Sequence, residues 1–149
     1  MSTQVRPFFP ALANLWGSLD GLSSLLLRIG VGGFLLPHGF VRLFGGGIDG
    51  TAQFMAKAGL QPAYLLTYYI TALEIIGGIL LVLGLLTRPI AALVFGFMAV
   101  GVFVHWNAFG YFWTAKGAEV PLSWAIFSLV LLIKGAGPYS IDHKIGREI

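Results

Sequence analysis

The sequence predicts an all-α fold: an integral membrane four-helix bundle, antiparallel and up-down. Three observations carry this expectation. Of the 149 residues, 57% are hydrophobic and 10% are charged, with a mean hydropathy of +0.86; soluble domains hold about one quarter charged residues. Four apolar segments approach the ~20 residues that a helix needs to cross a bilayer. The second and third of them are separated by Thr87-Arg88 alone, which demands a tight antiparallel hairpin. One transmembrane domain, residues 1–149, accommodates the whole chain.

Composition also excludes. The net charge is +3 and the basic residues are scattered, so nucleic acid is not an expected partner. There are no cysteines. Disulfides, thiol nucleophiles and thiolate metal sites are therefore absent, and any redox chemistry would run on a bound cofactor or a partner.

Taken in order, residues 1–21 read as an N-terminal interfacial arm, with Phe8, Phe9, Leu12 and Trp16 lying against lipid. Span one is expected over about 22–44. GGGIDG then reads as a flexible turn, and TAQFMAKAGL as a short surface helix. Span two covers about 63–86, span three about 89–111 and span four about 120–136, with Pro121 in its first turn. Arg6, Arg88, Lys134, Lys144 and Arg147 fall on one side of this arrangement. Lys57, Lys116 and Arg42 fall on the other. The asymmetry predicts a multi-pass inner-membrane protein with both termini cytoplasmic.

Ionisable groups inside spans cost roughly 2.5–3.5 kcal/mol each and usually turn inward. At ~100° per residue, Arg28, Gly32, His38, Gly39 and Arg42 share an arc of about 120° on span one. Glu74 shares a face with Gly77 and Gly78, and His105 with Gly101. Glycine-bearing faces pack against protein. At ~1.5 Å per residue, His38 and His105 each lie about 25 Å from the inner end of their spans, with Glu74 about one turn below. The expectation is an internal His38–Glu74–His105 cluster, with Asn107 nearby and Arg28 reaching up to Glu74.

Each group also has a plainer reading. Arg28 and Glu74 could form a purely structural pair. His38 could serve only a carbonyl freed around Pro37, and Arg42 and Lys57 could anchor headgroups. Trp106 and Trp124 either belong to an interfacial aromatic belt or wall a pocket for a flat ring. No helix carries two metal ligands at i, i+3 or i+4, so no metal is expected.

RIGVGGFLLPHGFVRLFGG, LEIIGGILLVLGLLTRPIA and GAGPYSIDHKIG, in that order, resemble the pattern of the DoxX family of small bacterial and archaeal membrane proteins. The positions that match are Arg28, His38, Gly39, Arg42, Glu74, Gly77, Gly78, Arg88, Ser140 and Asp142; Arg42 stands where a lysine is commoner. The resemblance implies a four-span bundle and a link to oxidoreductase systems, quinone-linked ones included. It carries over no catalytic residue. The resulting expectation is a redox-associated membrane subunit that binds a quinone or similar lipid-soluble ring, working with a redox partner protein. Two rival classes stand beside it: a non-enzymatic partner or assembly protein, and a small transporter that would have to be a homo-oligomer.

Overall fold

The computed structural model describes residues 8–148 and is helical throughout, with no strand among the described residues. Six helices follow in order: α1 (Ala13–Phe44), α2 (Gly47–Lys57), α3 (Ala63–Leu83), α4 (Thr87–Phe109), α5 (Glu119–Lys134) and α6 (Ile141–Lys144). By length and composition, α1, α3 and α4 can each cross a membrane. The 16-residue α5 is shorter than these three.

The boundaries correct the sequence reading in three places. Residues 13–21, expected in an interfacial arm, are the first turns of a continuous 32-residue helix. After Pro10 no proline interrupts the chain until Pro37, so nothing stops helix from growing back to Ala13. Arg6, which entered the charge count, lies outside the described residues. The GIDG segment, expected as flexible, is the start of α2. Asp49 lies in its first turn and Lys57 in its last, the signs that a helix dipole favours. Only Gly45 and Gly46 form the turn, Gly46 with φ of 74°.

Third, the α3–α4 turn falls at 84–86, not at Thr87-Arg88. Gly84 ends α3 in the left-handed conformation (φ 69°), the usual glycine stop. Leu86 also has positive φ (54°). Asp142, far along the chain, accepts hydrogen bonds from the backbone N–H groups of Leu86 and Thr87, both at 2.9 Å. It thus caps α4 from outside, which lets Thr87 and Arg88 join the helix.

Two helices contain a π-helical turn. The one in α1 spans Ile29–Gly33 and the one in α3 spans Leu73–Gly77. Pro37 has no N–H to give the carbonyl of Gly33, four residues back, and the widened turn ends at that residue. Where α1 and α3 pack together, the π-turn of α1 lies against residues 78–83 and that of α3 against residues 34–44. A Cβ on Gly32 would lie 2.6 Å from the Gly78 carbonyl oxygen, and one on Gly39 2.6 Å from the Ile75 side chain. Only glycine permits this approach. Gly77 faces Ile90 of α4, and Gly101 faces Pro121 at ordinary contact distance. The core is Val31, Leu35, Leu73, Leu81, Ala91, Val94, Met98, Ala125 and Leu131. α1 packs extensively on α3 and α4 on α5, and α2 lies against α3.

Candidate functional site

Glu74 is buried inside the π-turn of α3, and its partner is Arg42. Arg42 Nη1 donates to Glu74 Oε2, and Arg42 Nε donates to Thr51 Oγ1 of α2 at 3.2 Å. This corrects two expectations: Arg42 is no headgroup anchor, and Arg28 does not reach Glu74. The physical reason is the lean of helical side chains toward the N-terminus of their own helix. Arg42 therefore leans inward, to the level of Gly39, and a Cβ there would lie 3.0 Å from Glu74 Cβ. Arg28 leans the opposite way from Glu74, toward the start of α1.

There Arg28 is fully buried and donates to the carbonyls of Val82 (3.0 Å), Leu81 (3.4 Å) and Tyr139 (2.6 Å). The first two are among the last carbonyls of α3, where helical donors run out; Leu81 O also accepts from Gly84 N–H at 3.1 Å. Gly84 sits against the guanidinium, and its own carbonyl accepts from Asp142 N–H at 2.9 Å. Ser140 caps α6 by accepting from His143 N–H at 3.1 Å. Arg28, Ser140 and Asp142 thus clasp the α3–α4 turn. Their role is structural.

Of the expected His38–Glu74–His105 cluster, no hydrogen bond joins the three side chains among the described residues, while His38 lies within electrostatic range of Glu74. His38 stands edge-on to Trp124, with ring centroids 6.2 Å apart. Trp124 donates through Nε1 to the carbonyl of Val31, inside the α1 π-turn, at 3.3 Å. Trp124 and Phe34 also line a cavity of about 590 Å³ between α1 and α5. His105 lies elsewhere. It packs between Phe54 and Phe109, and its Nδ1 is 2.7 Å from the carbonyl oxygen of Lys116. Trp106 and Asn107 turn outward; Trp106 meets Tyr111 edge-on, and Asn107 Nδ2 donates to Phe103 O at 2.8 Å. Residues 105, 106 and 107 point ~100° apart, so one alone can face a given cavity.

The larger cavity, about 710 Å³, is the one that His105 faces. α2 contributes Thr51 and Phe54, α3 contributes Tyr69 and Ile70, and α4 contributes Leu93, Gly96, Val100 and His105. Arg42 lines it too, which brings the Arg42–Glu74 pair to its wall. A Cβ on Gly96 would meet nothing within 4 Å, so this glycine borders open space. The site is thus an apolar slot with a few polar lining residues: Arg42, Thr51, Tyr69, His105 and Lys116. Sequence reading missed Thr51, Phe54 and Tyr69. Arg42 shared the inward arc with Gly39, and that was a usable signal which the depth count set aside. Among the described residues no three His, Asp or Glu side chains converge as metal ligands would.

Comparison with known proteins adds relatives. The family model described as DoxX matches residues 23–106. The inner membrane protein YphA of Escherichia coli is 33% identical over 138 residues, covering 87% of this chain and 94% of that protein. A Bacillus subtilis protein named "Putative oxidoreductase CatD" is 36% identical over 83 residues, covering 56% of this chain and 58% of that protein. No solved structure matches.

Proposed function

This chain belongs to the DoxX family of membrane proteins, and from that premise we propose that it holds a quinone or similar lipid-soluble ring as a subunit of a membrane redox system. The cavity between α2, α3 and α4 carries this reading. Ligand sites are commonly concave and mostly apolar with a few placed polar groups, and about 300–1,000 Å³ is the usual size. Leu93 and Val100 line the cavity yet stay nearly half exposed, which leaves it open to a molecule arriving through the acyl chains. A ring would lie among Phe54, Tyr69 and Ile70, with its oxygens at Arg42 and His105. Glu74, joined to Arg42, is the group that would take or give a proton. The name of the B. subtilis relative is consistent with redox work.

In this proposal the molecule is a four-span antiparallel bundle, with α5 as the fourth span. At ~1.5 Å per residue α5 is about 24 Å long, which local thinning of the bilayer accommodates. Ile126, Phe127 and Ile133 are exposed on it and would face lipid. In this arrangement Arg88, Lys134, Lys144 and Arg147 fall on one side, and that basic excess supports a reading with both termini in the cytoplasm.

The test is extraction of bound lipids from protein purified in mild detergent, with mass spectrometry for quinones. Wild type should carry quinone or bind it when supplied. Glu74→Gln should keep the fold and the ring but lose electron transfer to the partner system. Wild type that neither carries nor binds quinone would remove this reading in favour of a partner or assembly protein.

A further inference from the structure

Resting on the reading just proposed, we infer that the cavity prefers the reduced, hydroxyl-bearing form of its ring, a quinol or related phenol, over the quinone. The inference comes from the donors and acceptors that the cavity presents. His105 Nδ1 is 2.7 Å from the Lys116 carbonyl oxygen. A carbonyl only accepts, so Nδ1 carries the proton. In the neutral imidazole Nε2 is then left as a lone-pair acceptor.

The Lys116 carbonyl is held in place. Lys116 adopts a left-handed conformation (φ 66°) that side-chain-bearing residues rarely take. The turn around it is fixed by backbone hydrogen bonds: Lys116 N–H to Trp113 O at 2.9 Å, Gly117 N–H to Phe112 O at 3.0 Å and Ala118 N–H to Gly110 O at 2.9 Å. Gly117 has no room for a side chain; a Cβ there would lie 2.6 Å from Gly110 O. A non-glycine residue held in this conformation by its surroundings is often a sign of function. Here the result is an imidazole locked in one tautomer.

Arg42 presents the opposite character. Nη1 is committed to Glu74 and Nε to Thr51. Nη2 makes no hydrogen bond within the protein among the described residues, and its two hydrogens are free for the cavity that Arg42 lines. The cavity therefore offers a donor at Arg42 and an acceptor at His105, with Thr51, Tyr69 and Lys116 also among its lining residues. A quinone has only acceptor oxygens and would set a carbonyl lone pair against Nε2. A quinol hydroxyl donates to Nε2, while another oxygen of the same ring accepts from Arg42. Mismatched polar groups in a water-poor site are what discriminate between such close analogues.

The experiment is anaerobic calorimetric titration of detergent-purified protein at pH 8 with three probes: duroquinone, duroquinol and the dimethyl ether of duroquinol, which lacks O–H groups. Duroquinol should bind roughly tenfold or more tighter than the other two, the scale of one hydrogen bond gained in place of one acceptor clash. His105→Phe keeps an aromatic ring against Phe54 and Phe109. It should bring the two to similar affinity, weakening duroquinol and, with the clash at Nε2 gone, leaving duroquinone no weaker than in wild type. The ether comparison is made on wild type, so it stands even if the variant does not fold. Gly96→Leu should weaken all three probes. Equal affinity for the three, or tighter binding of duroquinone, overturns the preference and leaves the quinone reading intact. Binding of none removes both. Unchanged affinities in Gly96→Leu would place the ring outside this cavity and also overturn the inference.

Discussion

Arg42 and Glu74 are each other's solvent. Their side chains are 15% and 4% exposed, so neither charge has much water to fall back on. Breaking a buried pair from one side typically costs about 3–5 kcal/mol, because one charge stays buried alone. The two sides are not equivalent here. Arg42→Gln leaves Glu74 inside the π-turn of α3 with no cation. Glu74→Gln leaves Arg42 with Thr51 and an open cavity. Arg42→Gln should therefore cost the larger share of stability, and the double variant Arg42→Gln/Glu74→Gln should recover most of it. Thermal unfolding in detergent reads the ranking; an Arg42→Gln variant no weaker than Glu74→Gln would refute the pairing. Much of this site was legible in sequence, since Arg42, Glu74 and His105 each stood out as a polar group in an apolar span. The pairing was not, because counting rise per residue locates a Cα and ignores the lean of the side chain. For arginine that lean decides the partner, and it sent Arg42 inward and Arg28 to the carbonyls of α3.

At the scale of the element, glycines in these helices do two different jobs, and substitution separates them. Gly32 and Gly78 sit where α1 and α3 touch through backbone; a Cβ on Gly78 would lie 2.8 Å from the Gly32 carbonyl oxygen. Gly96 faces open space. Alanine in a helix interior is better than glycine by about 0.5–1 kcal/mol, so Gly96→Ala should be neutral or stabilising. Gly32→Ala and Gly78→Ala should destabilise, since the helices must separate to admit the methyl group. Melting curves of the three single variants would decide, and equal tolerance at all three sites would mean that α1 and α3 are not in backbone contact. Glycine periodicity marks such faces in sequence, and Gly32, Gly39, Gly77 and Gly78 were found that way. The π-turns at Ile29–Gly33 and Leu73–Gly77 were not. Nothing in local composition demands them. They answer to Pro37 and to the fit of one helix on another, which only the assembled pair reveals. The capping of α4 by Asp142 was hidden for a similar reason: donor and acceptor are 56 and 55 residues apart in the chain. Asp142→Ala should cost roughly 0.5–2 kcal/mol, the usual range for a lost helix cap, and Asp142→Asn less.

For the whole molecule, the order of the helices follows from hydropathy alone, because α1, α3 and α4 are each long and apolar enough to cross a bilayer. The number of crossings turns on α5, which has 16 residues. If α5 only rests on the surface, the chain crosses three times and its C-terminus lies opposite Arg88. If α5 crosses, Arg88 and the C-terminus share a side. The second arrangement is the proposed one, for two reasons. First, α5 packs extensively along α4, and its Ala125, Ser128 and Leu131 are buried, so it is part of the bundle. Second, Glu119 opens α5 and Lys134 closes it, with only apolar residues and two serines plus a proline and a tryptophan between them. A helix lying in the interface plane would instead carry a polar face. Reporter fusions at Gly50, Arg88, Gly117 and the C-terminus should read outside, inside, outside, inside. A C-terminal reporter on the side opposite Arg88 would reduce the chain to three crossings. It would also strand Arg28 and Asp142, because the clasp on the α3–α4 turn includes Tyr139, Ser140 and Asp142 from beyond α5. That clasp requires the segment after α5 to return to the Arg88 side, so the fusion experiment tests the fourth span and the burial of Arg28 together.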